Sequence, residues 1–383
     1  MLVSPSSHST GYVNRKRLEL FHKTRTWLNV GVRFPLRQVT ALGLALVLIA
    51  TLSTLTSCGS KKPATAEEQF AALPLITALL KEGKPLFVSL DFLASIPKKE
   101  AALTPTREES LAAVQDPTSF YRLQRGKHFS AILLSPYPGS MKLADSLLSS
   151  PLWTLSDVSP VGYLFRPIGS APWQLPKSES LEKIHPDPSE RAAWLISTAA
   201  NLIPLGKRDE AEQLLVMAAT TRKQPSLLLS TRASLAASRG QWNEAMILAK
   251  ESLGKDSGNA AARTIQVRAL IECSRGDEAL EQARRLVEII PNQESLFLLA
   301  RAANASNDQE EEISSLKRLV ALGAKEHQPL GASLTYLGQA YAKNGERGEA
   351  LRTFQKAIAA PELTDEQRKM IKELMDHIAL EKH

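Results

Sequence analysis

Beyond about residue 190 the apolar positions recur at helical spacing through stretches rich in Ala, Leu, Glu, Arg and Gln, the pattern of amphipathic helices. The pattern also recurs as a unit. The string GKRDEA from Gly206 to Ala211 returns as GQWNEA from Gly240 to Ala245, as GDEA from Gly276 to Ala279, and as GERGEA from Gly345 to Ala350. Ala211, Ala245 and Ala279 are each 34 residues apart. Upstream the texture changes. Phe87-Val88-Ser89-Leu90 and the run 129–135, stopped by Pro136 and Pro138, read as short buried strands. A helix over 141–149 and a strand pair at 153–155 and 161–165 follow, which together predict a small α/β layer with a partly parallel sheet. Pro167, Pro172, Pro176, Pro186 and Pro188 then mark a linker. Near the start, no charge falls between Arg37 and Lys61, and 39–52 is dominated by Ala, Leu, Val and Ile.

A 34-residue period with a helix–turn–helix in each unit resembles the tetratricopeptide repeat. The last copy carries the resemblance best. Leu337, Gly338 and Tyr341 fall on its first helix, Gly345 in its turn, Ala350, Phe354 and Ala357 on its second, and Pro361 follows. The third copy has Ala283 and Leu286 and ends at Pro291. Between them a degenerate unit keeps Leu299, Ala300, Ala303, Leu316 and Leu319, with Asn307 in place of the turn glycine; Asn tolerates the same left-handed backbone. Arg232 and Arg263 stand where the family places apolar residues. Five units are expected, at 190–224, 225–258, 259–292, 293–325 and 330–362. Thr364 and Gln367 then open a capping helix with a capping-box pattern. The expected fold is mainly α: a solenoid of about five hairpins plus a capping helix, preceded by a small α/β unit and an N-terminal signal or anchor helix.

The resemblance implies a concave groove lined by the first helix of each hairpin. The family's ligand-facing position falls on Ser234, Arg268, Arg301 and Gln339, with Asn304 and Lys343 nearby. Two arginines and a lysine on one inner face would suit an acidic peptide or a C-terminal carboxylate. Ordinary solvated helix charge is the alternative. The family's carboxylate-clamp pattern is not reproduced.

Leu55-Thr56-Ser57-Cys58 resembles a lipobox, the processing site of bacterial lipoproteins. Arg15, Lys16, Arg17, Lys23, Arg25, Arg33 and Arg37 precede the apolar run against the single acid Glu19, which keeps that end cytoplasmic. The run has the length of a signal core rather than of a membrane span. The basic region is longer than such signals carry; Val30 and Val32 offer alternative starts. Cleavage would leave an acylated Cys58 as the N-terminus, and Gly59 in place of Asp favours the outer membrane, facing the periplasm. An uncleaved inner-membrane signal anchor is the alternative. The layout is a signal at 1–57, a tether and leading helix at 58–83, the α/β unit at 84–166, the linker at 167–189 and the repeats at 190–383.

The formal charge of +7 and pI near 9.3 invite a nucleic-acid reading, but seven basic residues belong to the signal. The remainder is nearly balanced, so nucleic acid is not an expected partner. Of two cysteines, Cys58 is taken by the lipobox, so Cys273 has no disulfide partner and is expected as a small buried hydrophobe. No Walker loop, GxGxxG, GxSxG or HExxH occurs, and seven scattered histidines give no pair at ligand spacing. No metal or cofactor is expected. Asp91 follows a strand, where an α/β carboxylate could act, although a turn or capping role is commoner. Trp153 and Trp173 could stack on a sugar or pack internally.

Residues 84–166 also resemble the extracytoplasmic α/β region of membrane glycosyltransferases, through Ala131-Ile132-Leu133-Leu134, Ser150-Pro151-Leu152-Trp153 and the stretch from Tyr163 to Arg166. That resemblance implies a fold, not an activity. The expected function is a non-catalytic, membrane-anchored envelope scaffold that binds other proteins through its groove. The rivals are an envelope carbohydrate-processing or carbohydrate-binding protein, with Asp91, Asp116 and Asp145 sharing a pocket, and an accessory subunit of a glycosyltransferase system.

Overall fold

The computed structural model describes residues 74–93, 96, 98–136, 138–220, 226–325, 330–361 and 363–380. The expected signal, the lipobox with Cys58, and most of the tether lie outside these residues. The leading helix appears as α1 (Pro74–Lys81), followed by β1 (Leu86–Val88), α2 (Leu90–Leu93), a 3-10 helix (Lys98–Leu103), α3 (Arg107–Gln115) and α4 (Pro117–Lys127). Then come β2 (Ala131–Leu134), α5 (Pro138–Leu148), β3 (Trp153–Ser159) and β4 (Gly162–Pro167). The sheet order is β1-β2-β4-β3, with β1 and β2 parallel and the other pairings antiparallel. The expected partly parallel sheet is therefore present.

Strands β1, β2 and β4 read as apolar runs because both faces of the sheet are covered there, whereas the edge strand β3 alternates buried with half-buried residues. Side-chain alternation sends Phe87, Ile132, Leu134, Tyr163 and Phe165 into one core, with Phe120, Met141, Leu143 and Leu147 from the helices and Phe129 from the loop before β2. Leu86, Val88, Ala131, Leu133 and Leu164 face the other way, under Leu79 and Leu80 of α1 and Phe92 of α2. Local chemistry sets the helix starts. The Thr106 side chain accepts from Glu109 N while Glu109 accepts from Thr106 N, a capping box on α3. Asp116 accepts from Thr118 N and Ser119 N at the start of α4, with Pro117 preset at its first position.

The 167–189 stretch, expected as a linker, is held on both sides. Trp173 N donates to Leu155 O at 2.7 Å, so the chain runs along the free edge of β3, and Trp173 and Leu175 pack on the core. This covers an edge that would otherwise offer unpaired backbone groups. The stretch then forms α6 (Ser178–Ile184), and Arg191 ties it down through His185 O, Pro186 O and Glu182.

Ten helices follow in antiparallel pairs: α7 (Pro188–Leu202) with α8 (Arg208–Ala219), α9 (Ser226–Ser238) with α10 (Trp242–Lys255), and α11 (Ala260–Glu272) with α12 (Gly276–Ile289). The last two pairs are α13 (Gln293–Ser306) with α14 (Gln309–Lys325) and α15 (Gly331–Lys343) with α16 (Arg347–Ile358). Helix α17 (Asp365–Leu380) ends the array, opened by reciprocal bonds between Thr364 and Gln367. The five hairpins coincide with the five units expected from the period. Each first helix ends at a residue with positive φ: Gly206 (77°), Gly240 (77°), Ser274 (59°), Asn307 (62°) and Gly345 (83°). The third turn corrects the sequence alignment: Ser274, not Gly276, takes the left-handed position, and Gly276 begins α12. Five residues after these turns stand Ala211, Ala245, Ala279 and Ala350, all fully buried where the paired helices meet. Gly338 lies so near the Phe354 ring that an added Cβ would meet it at 2.7 Å. The repeats form a tetratricopeptide-like solenoid.

The α/β unit and the first hairpin share one core, in which Val158, Tyr163 and Phe165 meet Leu195, Ile196, Ala199 and Leu202. Polar bonds fix the contact. Tyr163 Oη donates to Asn201 O at 3.1 Å, and Asn201 Nδ2 donates to Ser159 O at 2.8 Å and Pro160 O at 3.3 Å. Among the described residues no helix is long and apolar enough to cross a membrane. Asn201→Ala should leave two strand-end carbonyls without their donor and cost about 1–3 kcal/mol. Urea unfolding followed by circular dichroism measures this; an unchanged midpoint would show that the bonds do not support the junction.

Candidate functional site

The inner face of the solenoid is built from the first helices α9, α11, α13 and α15. Ser234 on α9 is buried, Arg268 lies on α11, Arg301 and Asn304 on α13, and Gln339 and Lys343 on α15. Sequence reasoning expected the three cations to form a basic stripe. The structure instead seats each on a glutamate that the sequence reading did not single out. Arg268 Nη2 contacts Glu294 Oε1 of α13 at 2.5 Å, with only 12% and 4% of the two side chains exposed. Arg301 Nη2 reaches back to Glu272 Oε1 of α11 at 3.1 Å, each about one-third exposed. The two pairs cross the same seam between adjacent inner helices, one buried and one open. Their fields overlap: Arg301 and Glu272 both act on the Arg268 guanidinium. With both carboxylates ionised the four charges cancel.

One unit further on, Glu312 accepts from Asn304 Nδ2 at 2.6 Å and from Lys343 Nζ at 3.3 Å. Glu312 stands five residues after Asn307, at the crossing position that the other four units fill with alanine. A carboxylate there must recruit donors from both neighbouring inner helices, because an unpaired buried charge costs several kcal/mol. This explains why Asn304 and Lys343, found by their groove phase, point at the hairpin interior. Beside Arg301 the face is aromatic. Phe297 of α13 and Tyr336 of α15 lie with ring centroids 5.1 Å apart. Burial raises the Tyr336 hydroxyl above the usual phenol value, with the Arg301 guanidinium offsetting part of the shift. Lys317 lies over the Tyr341 ring at 5.4 Å. The half-buried Phe297, Arg301, Tyr336 and Gln339 are the accessible part of the face. Ser234, Arg268 and Glu294 are the more buried residues of the inner helices.

Arg263 is nearly buried and donates to Gln282 and to Ser257 O, so an arginine at a family apolar position is accommodated by polar partners. Cys273 corrects the expectation of a fully buried thiol: it is half-buried at the end of α11, with Sγ 3.5 Å from Asn243 Oδ1.

Asp116 and Asp145 of the α/β unit each have local surroundings of their own. Asp116 is spent as a helix cap, and its hydrogen bonds from Ser119 and Thr118 lower its carboxyl below the ordinary value. Asp145 is half-buried on α5 and acts on the Tyr163 hydroxyl, which burial raises. Asp91 lies within α2. The space between the sheet and its helices is filled by Phe87, Phe120, Phe129, Leu134, Leu147 and Trp153. Trp153 packs edge-on to Phe120 and Trp173 lies against the same core, so both tryptophans are packing residues. Among the described residues no cluster of His, Cys, Asp or Glu is placed to hold a metal ion.

No protein-family profile matches the chain, and no curated protein matches it in sequence. Similar solved structures include MamA from Desulfovibrio magneticus RS-1, 18% identical over 45% of this chain and 94% of that one, with a TM-score of 0.40. A thermophilic TPR protein from Thermus thermophilus is 17% identical over 49% of this chain and 97% of that one, with a TM-score of 0.37. At such scores the likeness carries no weight of its own, and the fold rests on the hairpins themselves.

Burial of Glu294 pushes its carboxyl up to about 7, with Arg268 opposing the shift. The folded chain therefore holds this proton more tightly than the unfolded chain does. Between 4.5 and about 7 the native state carries the extra proton, so this group's contribution is complete below that window and declines as pH rises through it. Unfolding midpoints measured across that range should fall with pH in the wild type and flatten in Glu294→Gln. Parallel slopes in the two proteins would place the effect on other groups.

Proposed function

We propose that this chain is a membrane-anchored scaffold of the bacterial envelope, without catalysis of its own, that captures protein partners on the inner face of its repeats. The observation that carries this reading is the half-buried set Phe297, Arg301, Tyr336 and Gln339, presented on two adjacent inner helices. Aromatic rings beside one guanidinium and one amide supply large contact area with directional polar bonds, the composition of energetically dominant interface positions. Extended peptides and helices with a carboxylate or amide near an apolar side chain fit this surface. Arg268, Asn304 and Lys343 are paired with glutamates of neighbouring helices and tie those helices together.

The anchor rests on the lipobox. Cys58 is the acylation site, and a Cys in that sequence without a following Asp favours the outer membrane, facing the periplasm. The α/β unit joins the anchor to the repeats and offers a second surface. Its filled apolar interior supplies no support for sugar chemistry.

Two measurements test the two halves separately. Cys58→Ala should abolish metabolic labelling with a palmitate analogue and shift the protein out of the membrane fraction; unchanged labelling ends the lipoprotein reading. Tyr336→Ala with Arg301→Ala should reduce partner recovery from crosslinked envelopes about tenfold or more, as expected for removing central interface residues, with the helical circular-dichroism signal retained. Equal recovery by the folded double variant would remove the groove from consideration.

A further inference from the structure

The pairing of β3 with β4 runs one step past the strand ends. Trp153 stands opposite Pro167, and beyond them Ile168 N donates to Leu152 O at 2.9 Å. Because side chains alternate across a sheet, Leu152 and Ile168 fall on the face opposite the buried Trp153. On that face Val88, Leu133 and Leu164 lie under Leu79 and Leu80 of α1. The cover stops short of this corner, for Leu152 is 57% exposed and Ile168 67%. Ile168 heads a turn closed by Ser170 N on Pro167 O, with Gly169 at φ 91°. Here the chain enters β1, β2 and β3 and leaves β4, so the corner belongs to one end of the sheet. Among the described residues nothing comes within 4 Å of where a Cβ would stand on Gly83 or Gly169, both at this end. The other strongly exposed apolar residues, Ile184, Val216 and Ile247, come one to a helix. Single ones need no explanation; a bonded cross-strand pair presented at a turn is a different surface.

We propose that this end of the α/β unit rests on the lipid surface that holds the anchor, with Leu152 and Ile168 entering its headgroup layer. The inference rests on acylation of Cys58 and adds to it which surface of the folded chain meets the bilayer. Chain length carries the argument. Sixteen residues, 58–73, separate Cys58 from Pro74, the first residue of α1. Fully extended they reach at most about 55 Å, so α1 stays within that distance of the bilayer. Helix α1 packs on the sheet face that carries Leu152 and Ile168, and it ends at Lys81 beside the entry to β1. A second contact made from such a leash is intramolecular, so two apolar side chains and a few charges suffice. The charges suit the surface. Lys81, Lys84 and Arg125 stand exposed at this end, while Glu82 and Glu109 sit against Lys84 and Lys127. Arg166 lies half-buried one pleat from Ile168, its field acting on Asp157. Cations around an apolar tip match anionic headgroups over an acyl layer.

The test uses the acylated full chain in phospholipid vesicles, with Cys273→Ala and one introduced cysteine carrying a fluorophore. At Ile168→Cys, a doxyl-labelled phospholipid should quench at least about threefold more than at Gln355→Cys, an exposed position on α16. Replacing about 30 mol% of phosphatidylcholine by phosphatidylglycerol should raise the quenching at 168, and Lys81→Glu with Lys84→Glu should remove that rise. Leu152→Glu should lower the quenching at 168 to the level at 355, with the helical circular-dichroism signal retained. Equal quenching at the two positions overturns the proposal, as does quenching that survives Leu152→Glu. A doubled mass that hides the 168 fluorophore from iodide without vesicles assigns the corner to a second copy and overturns it equally. Absence of palmitate labelling removes the anchor and this inference together, whereas an acylated chain without quenching ends the bilayer contact alone.

Discussion

Every hairpin of the array depends on one backbone reversal. A first helix stops because a single residue turns left-handed, and the chain returns at a distance that only a small side chain tolerates. Three turns use glycine, for which positive φ carries no steric cost, while Ser274 and Asn307 accept it in the other two. The four fully buried alanines five residues on then let the paired helices touch. Once the pair is closed, its remaining apolar side is covered by the next pair, so a local turn propagates into a long-range stack.

The five hairpins and the capping helix could be read from the chain because their determinants are local and periodic. Turn residue, crossing alanine and apolar phase all lie within one unit, and the 34-residue spacing exposes them. The strands were readable for the same reason, as apolar runs with proline at their ends. Where the determinant was an exception to the period, reading slipped. Gly276 looked like a turn glycine because it precedes Asp, Glu and Ala, yet the left-handed residue is Ser274, at the same five-residue distance from its alanine as the others. Glu312 was missed as a substitute for alanine. The 167–189 stretch looked like a spacer because proline discourages helix and ladder; its attachment to the β3 edge is a contact between distant residues.

The inner face shows the same division more sharply. The phase of Arg268, Arg301, Asn304, Gln339 and Lys343 was legible, since helical periodicity places them. Their electrostatics were not. Glu272 and Glu294 lie on the same helices as the arginines, and a one-dimensional pattern pairs them within a helix. In the fold they pair across helices, so that a stripe of apparent positive charge is locally neutral. Which charges cancel depends on the stagger between repeats, and no single unit encodes that.

The junction between the sheet and the first hairpin has a consequence for the ends of the stack. A helical-repeat stack is open-ended by construction, since each unit presents the surface that the next one needs. Here the first unit meets Val158, Tyr163 and Phe165 instead of another hairpin. At the far end α17 turns Lys369, Lys372 and Glu373 to solvent. The described array thus has a sheet packed on its first hairpin and a helix with a charged outer side on its last, so neither described end presents the bare apolar face of a hairpin.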